Sequence, residues 1–171
     1  MKWSSPFVPA LIAFLVVVTD QLTKFWVLAN FRLYESKPVI PGLFDLTFVT
    51  NTGAAFGMLA GDKNVWRQVF FVTITTVALG VLTMAFRHYR HVGKLYVVAI
   101  GMVGGGALGN LIDRFRYGHV VDFLDFYIKD YHWPAFNAAD SAITVGVALF
   151  LVAGYLEHKN NEKDPARIGD N

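Results

Sequence analysis

The stretch that decides the fold is residues 95–112, which read LYVVAIGMVGGGALGNLI. The run carries no charge and approaches the length of about 20 apolar residues that a helix needs to cross a bilayer. Its glycines recur at intervals of four residues, at Gly101, Gly105 and Gly109. Small residues at this spacing let helix backbones approach closely in lipid, so the run is predicted to be a tightly packed membrane helix. A phosphate-binding loop is not favoured, because Gly109 is followed by Asn110 rather than by Lys and then Ser or Thr.

Three further stretches have the length and apolar composition of membrane helices. They lie at about residues 7–28, 69–86 and 138–156 of a chain of 171 residues. Charged residues make up 16% of the chain, against roughly 25% in an ordinary soluble protein, and 54% is hydrophobic. The sequence therefore predicts a mainly α integral membrane protein, with four transmembrane helices in a single domain over residues 1–171.

The overall charge and the absence of cysteine exclude several classes of function. A net charge of +2 gives no electrostatic case for binding nucleic acid. Without cysteine there is no disulfide scaffold, thiol nucleophile, cysteine zinc site or iron–sulfur cluster. Any chemistry must come from other side chains.

The distribution of lysine and arginine predicts how the spans are oriented. The connection at residues 87–94 carries three basic residues and no acid, so it is expected on the cytoplasmic side. Four spans then place both termini in the cytoplasm. The two longer connections, residues 30–68 and 113–137, are expected to face outward.

The first outward connection has the composition of a small sheet. Residues 43–50 are rich in β-branched and aromatic side chains, which predicts a strand. Residues 53–57 are mostly glycine and alanine, which predicts a tight turn. We expect a small extracytoplasmic β-platform over about residues 30–68.

Charged groups inside apolar spans are costly, so each needs a partner. Asp20 and Lys24 stand four residues apart on one face of the first predicted helix, which predicts a structural ion pair near its outer end. Residues 7–18 resemble the apolar part of a secretory signal peptide. They are expected to stay attached, because the charged pair falls where a cleavage site would lie. For Asp113, next to Arg114, a salt bridge or a helix-end hydrogen bond is the simplest explanation.

Asp122 and Asp140 are far apart in the chain but are predicted to meet. Asp122 lies in the polar segment after the third span, and Asp140 lies at the start of the fourth. Because these spans are antiparallel, both segments reach the outer face. Two carboxylates held together in a poorly hydrated place share one proton, so one can activate water while the other hydrogen-bonds to a substrate carbonyl. This is the chemistry of aspartic peptide hydrolysis.

Two other classes of function remain open at this point. A metal-dependent phospholipid transferase could use four aspartates as Mg²⁺ ligands, namely Asp113, Asp122, Asp125 and Asp140. A transporter could use buried acids as a proton or cation path, although the acids gather at one face instead of along the spans. Asp125 and Asp130 are expected to lie solvated in a loop, and His119 and His132 lack the spacing of metal ligands.

Five motifs occur in the order in which a known family carries them. They are DQLTK at residues 20–24, NTGAAF at 51–56, GGALGN at 105–110 followed by Asp113-Arg114, VVDF at 120–123 and FNAAD at 136–140. Together they run from the first span to the fourth. On these residues the sequence resembles the bacterial lipoprotein signal peptidases (signal peptidase II).

The resemblance implies a membrane aspartic endopeptidase with four helices and an outer β-cradle. Its substrates would be prolipoproteins that carry a diacylglyceryl group on a cysteine, and it would cut just before that cysteine. The enzyme would lie in the bacterial cell (inner) membrane in contact with membrane lipid. It would use no metal or organic cofactor and would be blocked by the cyclic lipopeptide globomycin. Nothing in the sequence demands more than a monomer.

The resemblance also implies roles for individual residues. By the motif match, Asp122 and Asp140 are the catalytic pair. Residues expected to position the substrate or support the pair are Asn51, Gly53, Asn110, Arg114 and Asn137. Residues expected to hold the surrounding framework are Asp20, Lys24 and Asp113.

Overall fold

The computed structural model describes residues 3–53 and 65–163. Along these residues, two pairs of short strands are separated by a pair of long helices, with one long helix before and one after them. In chain order the elements are α1 (Phe7–Asn30), β1 (Ser36–Ile40), β2 (Phe44–Asn51), α2 (Val65–Tyr89), α3 (Lys94–Tyr117), β3 (Val120–Ile128), β4 (Tyr131–His132) and α4 (Ala138–Lys163).

All four helices are long and apolar enough to cross a membrane, which confirms the predicted fold class. Each one contains a predicted span and extends beyond it. The extension matters most in α3, which continues past residue 112 to Tyr117. The helix ends at Gly118, whose φ of 76° is the left-handed conformation that glycine adopts at little cost. Asp113 and Arg114 therefore belong to the last turns of α3. Polar side chains lower the hydropathy of this segment, although the helix continues through it.

The strands form one antiparallel sheet in the order β1-β2-β3-β4 at one end of the bundle, which we call the sheet end. β2 confirms the strand predicted at residues 43–50. In the register of β2 with β3, Val49 lies opposite Asp122 and Asp45 lies opposite Asp125, with a bulge between Leu46 and Val49. Of the predicted turn at residues 53–57, only Gly53 lies within the described residues.

The expectation that Asp125 and Asp130 lie in a solvated loop is wrong for Asp125. It belongs to β3, and its carboxylate is 2.9 Å from Nδ1 of His132 in β4. Asp130 lies in the turn that joins these two strands. The short β3–β4 hairpin escaped prediction because its second strand has only two residues.

α3 is the central helix of the bundle. Half of its most apolar window is buried within the protein, compared with 6% for α2. Gly101 and Gly105 lie against α1, and a Cβ on Gly105 would come 2.8 Å from the backbone of Ala13. Gly109 lies against the carboxylate of Asp20. The predicted role of these glycines in close helix packing is confirmed.

A small hydrophobic core attaches the sheet to the bundle. Val27 of α1 and Phe31 just after it pack against Val121 and Phe123 of β3. Val121 is fully buried. Since Asp122 lies between the two packed residues of β3, the same core fixes the position of its backbone.

Gly105→Ala should destabilise the protein by about 1–3 kcal/mol, because the added methyl group meets the Ala13 backbone, which cannot move aside alone. Gly104→Ala is the matched control, since the nearest atom to its added Cβ is Leu82 Cδ1 at 3.9 Å. Unfolding of both variants in detergent micelles, by heat or by titration with a denaturing detergent, measures the difference. Equal stability of the two variants would contradict the packing role.

Candidate active site

A buried lysine lies at the sheet end, between α1 and α3. Nζ of Lys24 is 2.9 Å from Asp20 and 2.8 Å from Asp113, and it donates to Oδ1 of Asn110 at 3.0 Å. The side chains of Lys24, Asp20 and Asp113 are almost completely inaccessible to solvent. An ammonium group has three hydrogens, so all the donors of Lys24 are used. The predicted Asp20–Lys24 ion pair is present, and Asp113 joins it.

The two carboxylates of this cluster reach beyond the lysine to the start of other elements. Asp20 accepts the backbone N–H of Ala139 at 3.0 Å, in the first turn of α4. Asp113 accepts the N–H of Val121 at 3.1 Å, at the start of β3. The salt bridge of Asp113 is thus with Lys24 and not with its neighbour in the chain. The cluster binds α1, α3, β3 and α4 to one another.

Gln21 completes the cluster, a role that the sequence did not indicate. Its Nε2 lies 2.9 Å from Asp113, 3.2 Å from Asp20 and 3.2 Å from the carbonyl oxygen of Gly109, so its two hydrogens are shared among three acceptors. Two carboxyl groups have more acceptor positions than the three hydrogens of one ammonium group can fill, and the amide group of Gln21 donates to both of them. The signal in the sequence was that Gln21 lies within the DQLTK motif, directly after Asp20.

Asp122 projects from β3 and is held by two asparagine side chains. One oxygen accepts from Nδ2 of Asn137 at 2.7 Å, and the other accepts from Nδ2 of Asn51 at 3.1 Å. Asn51 is the last residue of β2, the neighbouring strand, so pairing of the strands brings its side chain to Asp122. The side chain of Asp122 is only 2% exposed.

Asp140 lies in the first turn of α4, where it forms a reciprocal cap with Asn137. Its backbone N–H donates to Oδ1 of Asn137 at 3.0 Å, and its own carboxylate accepts the N–H of Asn137 at 3.4 Å. This is the arrangement of a capping box, with residues three apart. The other carboxylate oxygen accepts from Nδ2 of Asn110 at 2.8 Å. Helix capping therefore fixes the direction in which Asp140 points.

The structure brings Asp122 and Asp140 into one hydrogen-bonded cluster, as the antiparallel spans predicted. Asn137 donates to both carboxylates, to that of Asp122 from its side-chain Nδ2 and to that of Asp140 from its backbone N–H, and the charge of Asp140 acts on Asp122. Burial, and after it the charge of Asp140, raise the pKa of Asp122 to about 7. The hydrogen bonds from Asn51 and Asn137 and the charge of Lys24 act in the opposite direction and lower this pKa. A pair of this kind can hold one proton near neutral pH, which suits general acid–base chemistry.

Arg114 joins Gly53, which follows β2, to α3. Its guanidinium donates to the carbonyl of Gly53 at 3.0 Å and to that of Asn110 at 3.3 Å. The N–H of Gly53 in turn donates to Oδ1 of Asn51, whose amide group reaches Asp122. Gly53 and Arg114 therefore support the cluster through Asn51. All the site residues expected from the sequence lie at the sheet end.

The four aspartates that a magnesium site would need do not come together. Asp113 is bound to Lys24, and Asp125 is paired with His132. Within residues 3–53 and 65–163 there is no group of three or more histidine or acidic side chains arranged to hold a metal ion. The geometry gives the phospholipid transferase alternative no support.

Comparison with known proteins gives a consistent picture. Residues 12–156 match the family described as signal peptidase (SPase) II. The chain is 48% identical over 149 residues to the lipoprotein signal peptidase of Syntrophus aciditrophicus, covering 87% of this chain and 91% of that protein. It is 52% identical over 143 residues to that of Syntrophotalea carbinolica, covering 84% and 88%. A solved bacterial membrane enzyme superimposes with a TM-score of 0.81 at 38% identity, covering 91% of this chain and 92% of that chain.

Protonation of Asp122 should make stability depend on pH. Its pKa is about 7 in the folded protein and 3.8 ordinarily, so between these values the folded state binds more protons than the unfolded state. The free energy of unfolding must then fall as the pH rises through this window, by at most about 4 kcal/mol. Unfolding in detergent between pH 4 and 7 measures this slope, which Asp122→Asn should reduce. A wild-type stability that rises over the window, or an unchanged slope in the variant, would contradict the assignment.

Proposed function

Because the chain belongs to the family of lipoprotein signal peptidases, signal peptidase II, we propose that it cleaves its substrates with Asp122 and Asp140 as the catalytic pair. The family's activity is the removal of signal peptides from prolipoproteins, and this membrane protease performs it. The observation that carries the assignment is that both carboxylates accept hydrogen bonds from Asn137, one from its side chain and one from its backbone N–H, and that they interact electrostatically.

The proposed reaction needs one proton on the pair. The ionised carboxylate takes a proton from a water molecule as that water attacks the scissile carbonyl carbon, and the protonated carboxyl donates its proton to the carbonyl oxygen. The resulting tetrahedral diol then collapses: a proton passes to the leaving nitrogen, the C–N bond breaks, and a carboxylic acid and an amine are released. The residues supply all the proton transfers, so no metal or organic cofactor takes part.

The supporting residues hold the pair in place for this chemistry. Asn51 and Asn137 bind Asp122, and Asn110 and Asn137 bind Asp140. A carboxylate that is already fixed loses little freedom when the transition state forms. We assign Asn51, Gly53, Asn110, Arg114 and Asn137 to this support and to contacts with the substrate.

The substrate is proposed to be a prolipoprotein whose cysteine carries a diacylglyceryl group, with the cut just before that cysteine. Such a substrate is anchored both by its apolar signal peptide and by its acyl chains, so it reaches the enzyme by moving sideways in the bilayer. Its scissile bond then lies near the membrane surface. The pair at the sheet end, beyond the apolar parts of α3 and α4, matches that depth and is accessible to water through the partly exposed Asp140.

The proposed orientation is based on the basic residues where α2 ends and α3 begins. Arg87, Arg90 and Lys94 favour the cytoplasmic side, so we propose that both termini are cytoplasmic and that the sheet end lies at the outer face of the bacterial cell (inner) membrane. We further propose that the enzyme works as a monomer and that globomycin, a cyclic lipopeptide, binds at the pair and blocks it.

Asp122→Asn and Asp140→Asn should each abolish cleavage of a purified diacylated prolipoprotein. A pair made of one aspartate and one asparagine cannot hold one acidic proton and one negative charge together. Asp125→Asn is the matched control, because Asp125 lies on the same strand as Asp122 but is paired with His132. This variant should cleave the substrate like the wild type. Each protein is assayed with and without EDTA, and its folding is checked by thermal unfolding. Substantial cleavage by either pair variant, or loss of wild-type cleavage in EDTA, would overturn the assignment.

A further inference from the structure

Two residues of α2 contact Arg114, and they lie on one face of that helix. The ring of Phe71 lies under the guanidinium, with its centroid 4.9 Å from Cζ. Nε2 of Gln68 donates to the backbone carbonyl of Arg114 at 3.1 Å. Residues three apart on a helix are neighbours on its surface, so one turn of α2 contacts both the head and the backbone of one arginine.

Phe71 differs from the other aromatic side chains of its helix in being buried. It is 8% exposed, whereas its neighbour Phe70 is 46% exposed. An arginine over an aromatic face in a place shielded from water is attracted more strongly than at an exposed surface. α2 as a whole is little buried in the protein, so this contact stands out from the rest of the helix.

The position of the guanidinium matters because Arg114 acts on the catalytic pair by two routes. Through the carbonyl of Gly53 it fixes Gly53, whose N–H donates to Asn51, and Asn51 donates to Asp122. Its positive charge also interacts with the carboxylates of Asp122 and Asp140. A displaced guanidinium would weaken both effects without removing any residue that touches the carboxylates.

We propose that Phe71, assisted by Gln68, is a positioning residue of the peptidase reaction: it holds the guanidinium of Arg114 in the place from which Arg114 fixes Gly53 and acts on the pair. The proposal rests on the proposed function, because it takes Asp122 and Asp140 as the catalytic groups. It makes the outer turn of α2 part of the active-site framework, although α2 contributes no group to the chemistry.

Phe71→Leu keeps an apolar side chain and removes the π face. It should lower kcat for the diacylated prolipoprotein about 3- to 30-fold, the equivalent of a partly buried cation–π contact, while KM changes less than about twofold. Phe71→Tyr and Phe71→Trp keep a π face, and at least one of them should restore most of the loss. Phe86→Leu makes the same exchange elsewhere on α2 and should leave kcat unchanged.

Gln68→Met tests the second contact without touching Phe71. It removes the hydrogen bond to the Arg114 carbonyl and should lower kcat about 2- to 10-fold. Thermal unfolding in detergent accompanies every variant, so a loss of kcat is compared with any loss of folded protein.

A double-mutant cycle separates positioning of Arg114 from general packing. If Phe71 acts through Arg114, Phe71→Leu should lower the kcat of the Arg114→Lys variant by a much smaller factor than it lowers the kcat of the wild type. Full activity of Phe71→Leu, no recovery with either aromatic variant, or additive losses in the cycle would each overturn the proposal. The two proposals are judged by different results. Additive losses in the cycle would overturn the role of Phe71 even if Asp122→Asn and Asp140→Asn are inactive. Cleavage by either aspartate variant would overturn the catalytic pair even if the cycle shows coupling between Phe71 and Arg114.

Discussion

The arrangement at the sheet end depends on one buried ammonium group. Lys24 projects from a membrane helix into a place that is shielded from solvent, and its charge is matched by Asp20 and Asp113. A buried charge without such partners would cost several kcal/mol, so the three side chains are held together by the cost of separating them. Because the two acids also bind the N–H groups of Ala139 and Val121, the ion cluster fixes where α4 and β3 begin.

The same ammonium group determines how the carboxylates of Asp122 and Asp140, the proposed catalytic pair, are held. An ammonium can only donate, so Asn110 must present its Oδ1 to Lys24, and its Nδ2 is then directed at Asp140. Nδ2 of Asn137 also donates to Oδ1 of Asn110, and the same nitrogen donates to Asp122. A chain of donors and acceptors therefore runs from the buried lysine to both carboxylates. Lys24 fixes the orientation of the Asn110 amide group, and Asn110 in turn fixes the orientation of the Asn137 amide group.

The parts of this arrangement that the sequence predicted are those with a local signal. Apolar length indicated the spans, glycine spacing indicated the close helix contacts, and a separation of four residues indicated the pair of Asp20 and Lys24. The third member, Asp113, could not be found in this way, because its contact depends on how α1 packs against α3. Phe71 gave no signal either, since one aromatic residue among many in an apolar span does not reveal which one lies under an arginine.

The most direct test of the account is the effect of Lys24→Met on stability and cleavage, measured beside Lys37→Met. Lys37 pairs with Glu35 at the surface, where both side chains are partly exposed, so its loss should cost less than about 1 kcal/mol and leave cleavage intact. Lys24→Met leaves two buried carboxylates without their cation and frees Asn110, so it should cost about 3–5 kcal/mol and abolish cleavage. A Lys24→Met enzyme that is as stable and as active as Lys37→Met would contradict the central role of the buried ammonium group.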